Sequence, residues 1–296
     1  MTTAPDVRRR SRAALDLLTA APTHRAAGLA VTRTGREPGS APALLLVHGL
    51  GSARSVWAPV LPELADRYDV IVVDLPGHGA SPPLAPGEDR IRGIADRLAG
   101  SCAELGVRRP HVAGNSLGGW AGLELAADGN AASLTALAPA GLRREPTLPS
   151  PILLLNRRLA KLTGSLADPL IRFGPVRALV FASGTVDPWA LDLGLARAAA
   201  RAVRESTGYE TLLASASRTR FERAATIEVP VTIVTGESDR ILPGQVNRCR
   251  ELAPAGARWV SLPRCGHAPM WDAPERTVEL VDETVAAAEE DLTAQR

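Results

Sequence analysis

The sequence predicts an α/β architecture, a mostly parallel, doubly wound sheet with a helical segment inserted late in the chain. Three observations carry that expectation. Short, continuous apolar runs recur, as in strands buried on both faces of a parallel sheet. Helical patterns alternate with them, the signature of βαβ units. The alternation stops between about residues 141 and 226, where proline punctuates helical stretches and no strong strand pattern remains.

Taken in order, the chain opens on a basic, alanine-rich stretch (Arg8, Arg9, Arg10, Arg12, then Ala13 to Ala21). It resembles an export signal only superficially, because Asp16 and Thr19 interrupt a short apolar run, and an exposed amphipathic helix is the expectation. Residues 29–32 read as a short edge strand. Residues 43–47 form the first buried run and end abruptly in His48-Gly49-Leu50-Gly51. Further runs lie at 70–73, 111–113, 134–137, 231–234 and 258–262, with helical patterns at 53–67, 90–105, 117–127, 247–252 and 275–288. The implied division is a core of residues 1–141 and 226–296 carrying a helical cap, 142–225.

A chain of 296 residues with 45% hydrophobic content fits one large domain with an insertion. Its 34 basic and 32 acidic residues nearly balance, so bulk charge gives no support to a nucleic-acid partner. The odd set Cys102, Cys249 and Cys265 contains no C-x-x-C pair, which points to a reducing compartment without disulfides or a zinc site. No apolar run reaches the roughly 18 residues a membrane span needs, so the expected location is cytoplasmic. Segment 142–225 carries thirteen basic against seven acidic residues. A solvated helix surface is the simpler reading of that excess; arginines that steer or hold an anionic substrate are the sharper one.

The stretch with chemical content is His111 to Trp120, which contains Gly114-Asn115-Ser116-Leu117-Gly118. This G-x-S-x-G pattern is the sequence of a sharp strand-to-helix turn with a serine at its apex. Glycines on either side let backbones pass closely, and the following helix aims its first N–H groups at developing negative charge. A serine hydroxyl needs a base, and the base needs an orienting acid. Of the five histidines, only His267 lies in a loop directly after the final strand, where such sheets place reactive groups. Glu237 and Asp239 both follow the run at 231–234; Asp239 is the choice, with Glu237 turn-facing and Glu145 a weaker third. The order Ser116, Asp239, His267 is that of α/β-hydrolase triads. The two N–H groups an oxyanion requires are expected from Leu117 and Leu50.

The chain resembles the α/β-hydrolase superfamily in its cap-bearing branch, through LLLVHGLG (44–51), VDLPGHGAS (73–81), HVAGNSLGGW (111–120), TGESDRILP (235–243) and CGHAPMWDAPE (265–275). These blocks are spread, in family order, across most of the chain outside the cap. The resemblance implies a serine hydrolase forming an acyl-enzyme on Ser116, with a small-molecule substrate and no metal or organic cofactor. It assigns Asp74 and His78 structural roles. His48, Gly49, Asn115, Trp189 and Trp271, with Leu50 and Trp57, are expected to shape the pocket. Serine rather than aspartate at the elbow disfavours dehalogenase and epoxide-hydrolase chemistry. Carboxylic-ester hydrolysis leads; C–C hydrolysis of meta-cleavage products is the rival, fitted by Gly-Asn-Ser and the basic cap. A non-catalytic binding protein of the same fold is the third reading. The hairpin that usually precedes the H-G strand is poorly defined, so fewer than eight strands are expected.

Overall fold

The computed structural model describes residues 4–85, 88, 90–145, 151–244 and 248–294. Its centre is an eight-stranded sheet of β1 (His24–Ala26), β2 (Leu29–Gly35), β3 (Ala43–Val47), β4 (Asp69–Val73), β5 (His111–Asn115), β6 (Ser133–Leu137), β7 (Val231–Gly236) and β8 (Arg258–Leu262). The spatial order is β1-β2-β4-β3-β5-β6-β7-β8. Strands β3 to β8 pair in parallel, while β1 and β2 pair antiparallel with each other and β2 pairs antiparallel with β4.

The N-terminal hairpin is therefore present, correcting the expectation of a shorter sheet. Ala27 (φ 45°) and Gly28 (φ 78°) both adopt left-handed backbone, as a two-residue hairpin turn matched to strand twist requires. The arm His24-Arg25-Ala26 is polar, and its first two residues are exposed at the sheet edge, so no apolar run announces it.

Successive strand side chains point to opposite faces. Leu44, Leu46, Val70 and Val72 face one apolar layer, and Leu45, Val47, Ile71 and Val73 face the other. Helices α1 (Ala4–Thr19) and α10 (Pro274–Ala294) close the first layer. Helices α3 (Arg90–Glu104) and α4 (Leu117–Ala127) close the second. Helix α1 is not the exposed helix the sequence suggested. Ala14, Leu15 and Leu18 are buried in the core, and burying one leucine stabilises the docked helix by about 1.5–3 kcal/mol.

The helical pattern at 53–67 divides into a 3-10 turn, Arg54–Trp57, and a short α2, Leu61–Ala65. Pro62 explains the break: its ring lacks an N–H and clashes with the carbonyl four residues back. The helix expected at 247–252 falls partly outside the described residues, and only the 3-10 turn Arg250–Leu252 is seen there.

Between β6 and β7 the described residues form helices and turns without a strand: α5 (Pro151–Thr163), α6 (Gly174–Phe181), α7 (Leu193–Glu205) and α8 (Tyr209–Arg218). Arg157 of α5 ties the segment together. Its guanidinium donates to Glu210 Oε1 (2.9 Å), to the Ser206 carbonyl (2.6 Å) and to the carbonyls of Val203 and Arg204, and lies over the Tyr209 ring. The segment rests on the loop after β4, where the Gly208 N–H donates to the Gly77 carbonyl (3.0 Å). Helix α9 (Pro269–Asp272) follows β8 and leads into α10.

Candidate active site

Strand β5 hands directly to α4 through Ser116, whose backbone sits at φ 55°, ψ −114°. A non-glycine residue at this conformation is strained and persists only where its surroundings over-determine it. Here they do: the Ser116 N–H donates to the Leu137 carbonyl (2.9 Å), and the Ser116 carbonyl accepts from Ala140 (3.0 Å). The flanking glycines are steric necessities. A Cβ on Gly114 would overlap the Gly118 carbonyl, and one on Gly118 would overlap the carbonyls of Val47 and His48. The crossing of strand and helix brings the end of β3 onto the elbow, so that a Cβ on Gly49 would come within 3.0 Å of Ser116 Cβ.

His267 lies in the loop after β8, buried, with its Nδ1 2.8 Å from Asp239 Oδ2. Asp239 follows β7, and its side chain is 4% exposed. Oδ1 of the same carboxylate accepts the N–H groups of Ile241 and Leu242, both at 2.9 Å. Burial pushes the Asp239 carboxyl up, but the facing imidazole and those two N–H groups outweigh it and hold the carboxyl below its ordinary value. Glu237 is exposed and turned toward Ser261. Glu145 is exposed and lines a groove with α3, α4 and α8.

The backbone donors are placed as follows. No side chain caps α4, and among the described residues neither the Leu117 N–H nor the Leu50 N–H donates to a protein acceptor. Ser116 is half-buried, and its Oγ likewise makes no hydrogen bond there.

The expected pocket residues are distributed differently. His48 is fully buried and spans two loops: Nε2 accepts the Leu75 N–H (3.0 Å) and Nδ1 donates to the Gly49 carbonyl (2.7 Å). Both ring nitrogens are occupied, and burial holds its pKa down, so His48 is a neutral strut and not a pocket wall. His78 is its counterpart, with Nε2 accepting the Gly51 N–H (3.0 Å) and its pKa lowered to about 3 by burial. Asp74 is buried too and bonded to Arg54. Asn115 is buried, and its Nδ2 donates to the carbonyls of Leu137 (3.1 Å) and His267 (2.9 Å). Those two bonds tether the elbow to the histidine loop. Trp57 belongs to the core. Trp189 lies exposed on the inserted segment, packed on Gly174. Trp271 is half-buried, donates to the Val56 carbonyl (3.1 Å) and meets Phe181 edge-on.

Two further groups hold the histidine loop. The Gly184 carbonyl, just past α6, accepts the N–H groups of His267 (3.1 Å) and Ala268 (3.2 Å). Asp272 accepts the Gly266 N–H (2.7 Å) and bonds Thr185 of the inserted segment. An acid within five residues of His267 was the available signal for Asp272. Nothing local marks Gly184, which lies more than 80 positions away. Cys265 is buried and its thiol is pushed up to about 12 by burial, so it stays neutral. Among the described residues no cluster of His, Cys, Asp or Glu is placed to hold a metal ion.

The family model described as "Alpha/beta hydrolase family" matches residues 44–280, spanning the elbow, the acid and the histidine together. The chain belongs to the alpha/beta hydrolase family. The matches to the first curated relatives span about a third or less of those proteins' length. Another curated relative is a pimeloyl-[acyl-carrier protein] methyl ester esterase of Methylococcus capsulatus, 39% identical over 37% of this chain and 40% of that protein. Among solved structures, a bacterial membrane phospholipase A superposes with TM-score 0.72 at 26% identity, covering 96% of this chain and 91% of that chain. A meta-cleavage product hydrolase of Pseudomonas fluorescens superposes with TM-score 0.68 at 21% identity, over 89% and 96% of the two chains, a likeness of fold.

Proposed function

We propose that this alpha/beta hydrolase cleaves carboxylic esters through an acyl-enzyme on Ser116. The observation that carries the reading is the 2.8 Å contact between His267 Nδ1 and Asp239 Oδ2 in the loops beside a serine held at positive φ. Asp239 accepts a hydrogen bond from the Nδ1–H, which fixes the tautomer and leaves Nε2 free as a base. His267 takes the Ser116 hydroxyl proton as Oγ attacks the ester carbonyl, and returns it to the departing alkoxide. Water, deprotonated by the same nitrogen, then releases the acid and restores the serine. The Leu50 and Leu117 N–H groups, free of protein acceptors, take the oxyanion in both halves. Contacts between nucleophile and base in this class commonly tighten only with substrate in place. No metal or organic cofactor enters the scheme, and residues 142–225 serve as the cap. The three free thiols suit a reducing compartment such as the cytoplasm.

The ester reading draws support from the esterase relative and from the phospholipase. The C–C reading loses its main local argument, because the Asn115 amide is committed to Leu137 and His267. A non-catalytic protein would have no use for a strained serine beside an oriented imidazole. The test is turnover of a short-chain aryl ester against a meta-cleavage dienoate, with wild type and Ser116→Ala. Preference for the ester, lost in the variant, is expected. Preference for the dienoate would transfer the case to C–C hydrolysis, and no turnover of either to the binding protein.

A further inference from the structure

Helix α5 is built inside out. Its one fully buried side chain is a charged one, Arg157, while Leu155, Leu159 and Leu162 are 54%, 50% and 82% exposed. Residues spaced by four and three share one face of a helix, so these leucines form a single stripe. Leu166, 80% exposed in the turn that follows, continues it. Among the described residues, every exposed large apolar side chain of the protein lies between Leu155 and Trp189, with Leu179 of α6 again 82% exposed. Scattered single leucines need no explanation, but this concentration on one segment marks a contact surface.

We propose that the exposed face running from α5 to α6 docks on an anionic lipid surface. Charge selects the occupant. Arg158, one turn from both Leu155 and Leu162, is exposed and pairs with no acid among the described residues. Arg172 is exposed over the Phe173 ring, and Lys161 is exposed beside Glu210. Against these the segment 151–190 offers two acids, Asp168, engaged by Arg204, and Asp187. Leucines flanked by cations are the composition of a surface that lies in a membrane interface. A second copy is disfavoured, because a two-fold contact would set the same cations against each other. A bilayer surface bearing anionic headgroups neutralises them and takes up the protruding leucines.

The same face is bonded to the candidate site. The end of α6 continues into Ala182 and Gly184, whose carbonyls accept from Arg240 (3.0 Å) and from His267 (3.1 Å). Docking would thus hold the Asp239 and His267 loops against the lipid. The docking claim itself does not rest on Ser116 chemistry.

The test is flotation of the full chain with vesicles of phosphatidylcholine alone and of an equimolar phosphatidylcholine–phosphatidylglycerol mixture, alongside sizing in solution. Binding to the anionic vesicles is expected to be about tenfold or more above the neutral ones, since two exposed arginines contribute. Leu162→Glu/Leu166→Glu is expected to abolish flotation while leaving turnover of a soluble aryl ester intact, which shows that the variant is folded. Ser116→Ala is expected to float as wild type, so loss of the hydrolase reading would leave this one standing. Failure of wild type to float, flotation that persists in the double leucine variant, or a dimer that this variant dissolves would each overturn the proposal.

Discussion

Asp239→Asn is the substitution whose consequence the geometry constrains most tightly. The two oxygens of Asp239 face different partners: Oδ1 accepts two backbone N–H groups at 2.9 Å, and Oδ2 accepts His267 Nδ1 at 2.8 Å. An asparagine has one oxygen and one NH2. Turning the NH2 toward Ile241 and Leu242 would set donors against donors in a site only 4% exposed, at about 1–3 kcal/mol for each unsatisfied group. The oxygen therefore keeps the backbone side, and the NH2 faces the imidazole. That forces the proton onto Nε2 and leaves the base without a lone pair for the Ser116 hydroxyl. In serine-protease triads the same change lowers kcat by about 10⁴, equivalent to about 5.4 kcal/mol at 1.36 kcal/mol per tenfold. The assay is steady-state hydrolysis of a p-nitrophenyl ester by wild type and Asp239→Asn, with circular dichroism to verify folding. A kcat loss of about three to four orders of magnitude is expected. Retention of activity within about tenfold of wild type would refute the tautomer argument, because the amide cannot satisfy both sides at once.

Other perturbations follow from the same contacts. Asn115→Ala removes the tether between the elbow and the His267 carbonyl. The Leu137 carbonyl keeps the Ser116 N–H, so only the His267 carbonyl loses its partner, at an expected cost of about 1–3 kcal/mol read by thermal melting, with a fall in kcat larger than any rise in KM. Gly118→Ala forces a methyl onto the carbonyls of Val47 and His48, which cannot yield as a side chain can. A loss of about 3 kcal/mol is expected, seen as a melting temperature lower by about 5–10 °C. Glu210 is held down to about 2, chiefly by its hydrogen bond to Arg157, against the opposing effect of burial and with help from Lys161. Its folded value lies below the ordinary carboxylate value near about 4.3. Its contribution is therefore present above that pH and is lost as pH falls toward 2. The melting-temperature difference between wild type and Glu210→Gln should shrink over that window; a constant difference would show that the pair contributes nothing.

The parts of the fold legible in the sequence were those where physics leaves a linear trace. Strands β3 to β7, buried except for the partly exposed Ala43, each contain a short, mainly apolar run bounded by turns. Strand β1 was not legible, because His24 and Arg25 are exposed at an edge and the turn is Ala-Gly in place of Asn-Gly. Helix α1 misled through its arginines, although Ala14, Leu15 and Leu18 already form the stripe that docks. In the site, the spacing of Ser116, Asp239 and His267 was readable, and Asp239 does face His267. Side-chain direction was not readable. Asn115 adjoins Ser116 in sequence and His48 ends the loop packed on Gly118, yet both side chains turn inward to backbone partners. Gly184 contributes a carbonyl from a distant helix end, which no residue type encodes. The inverted α5 was hidden for the same reason, since a stripe of leucines reads as core until Arg157 is seen taking the buried side.

The central claim, that Ser116 is a nucleophile activated by His267, is tested most directly by intact-mass analysis after treatment with a fluorophosphonate, with peptide mapping of the adduct. A single adduct on Ser116 is expected, absent in Ser116→Ala and strongly slowed in His267→Ala. A folded wild-type protein that takes no label, or one labelled equally after Ser116→Ala, would contradict it.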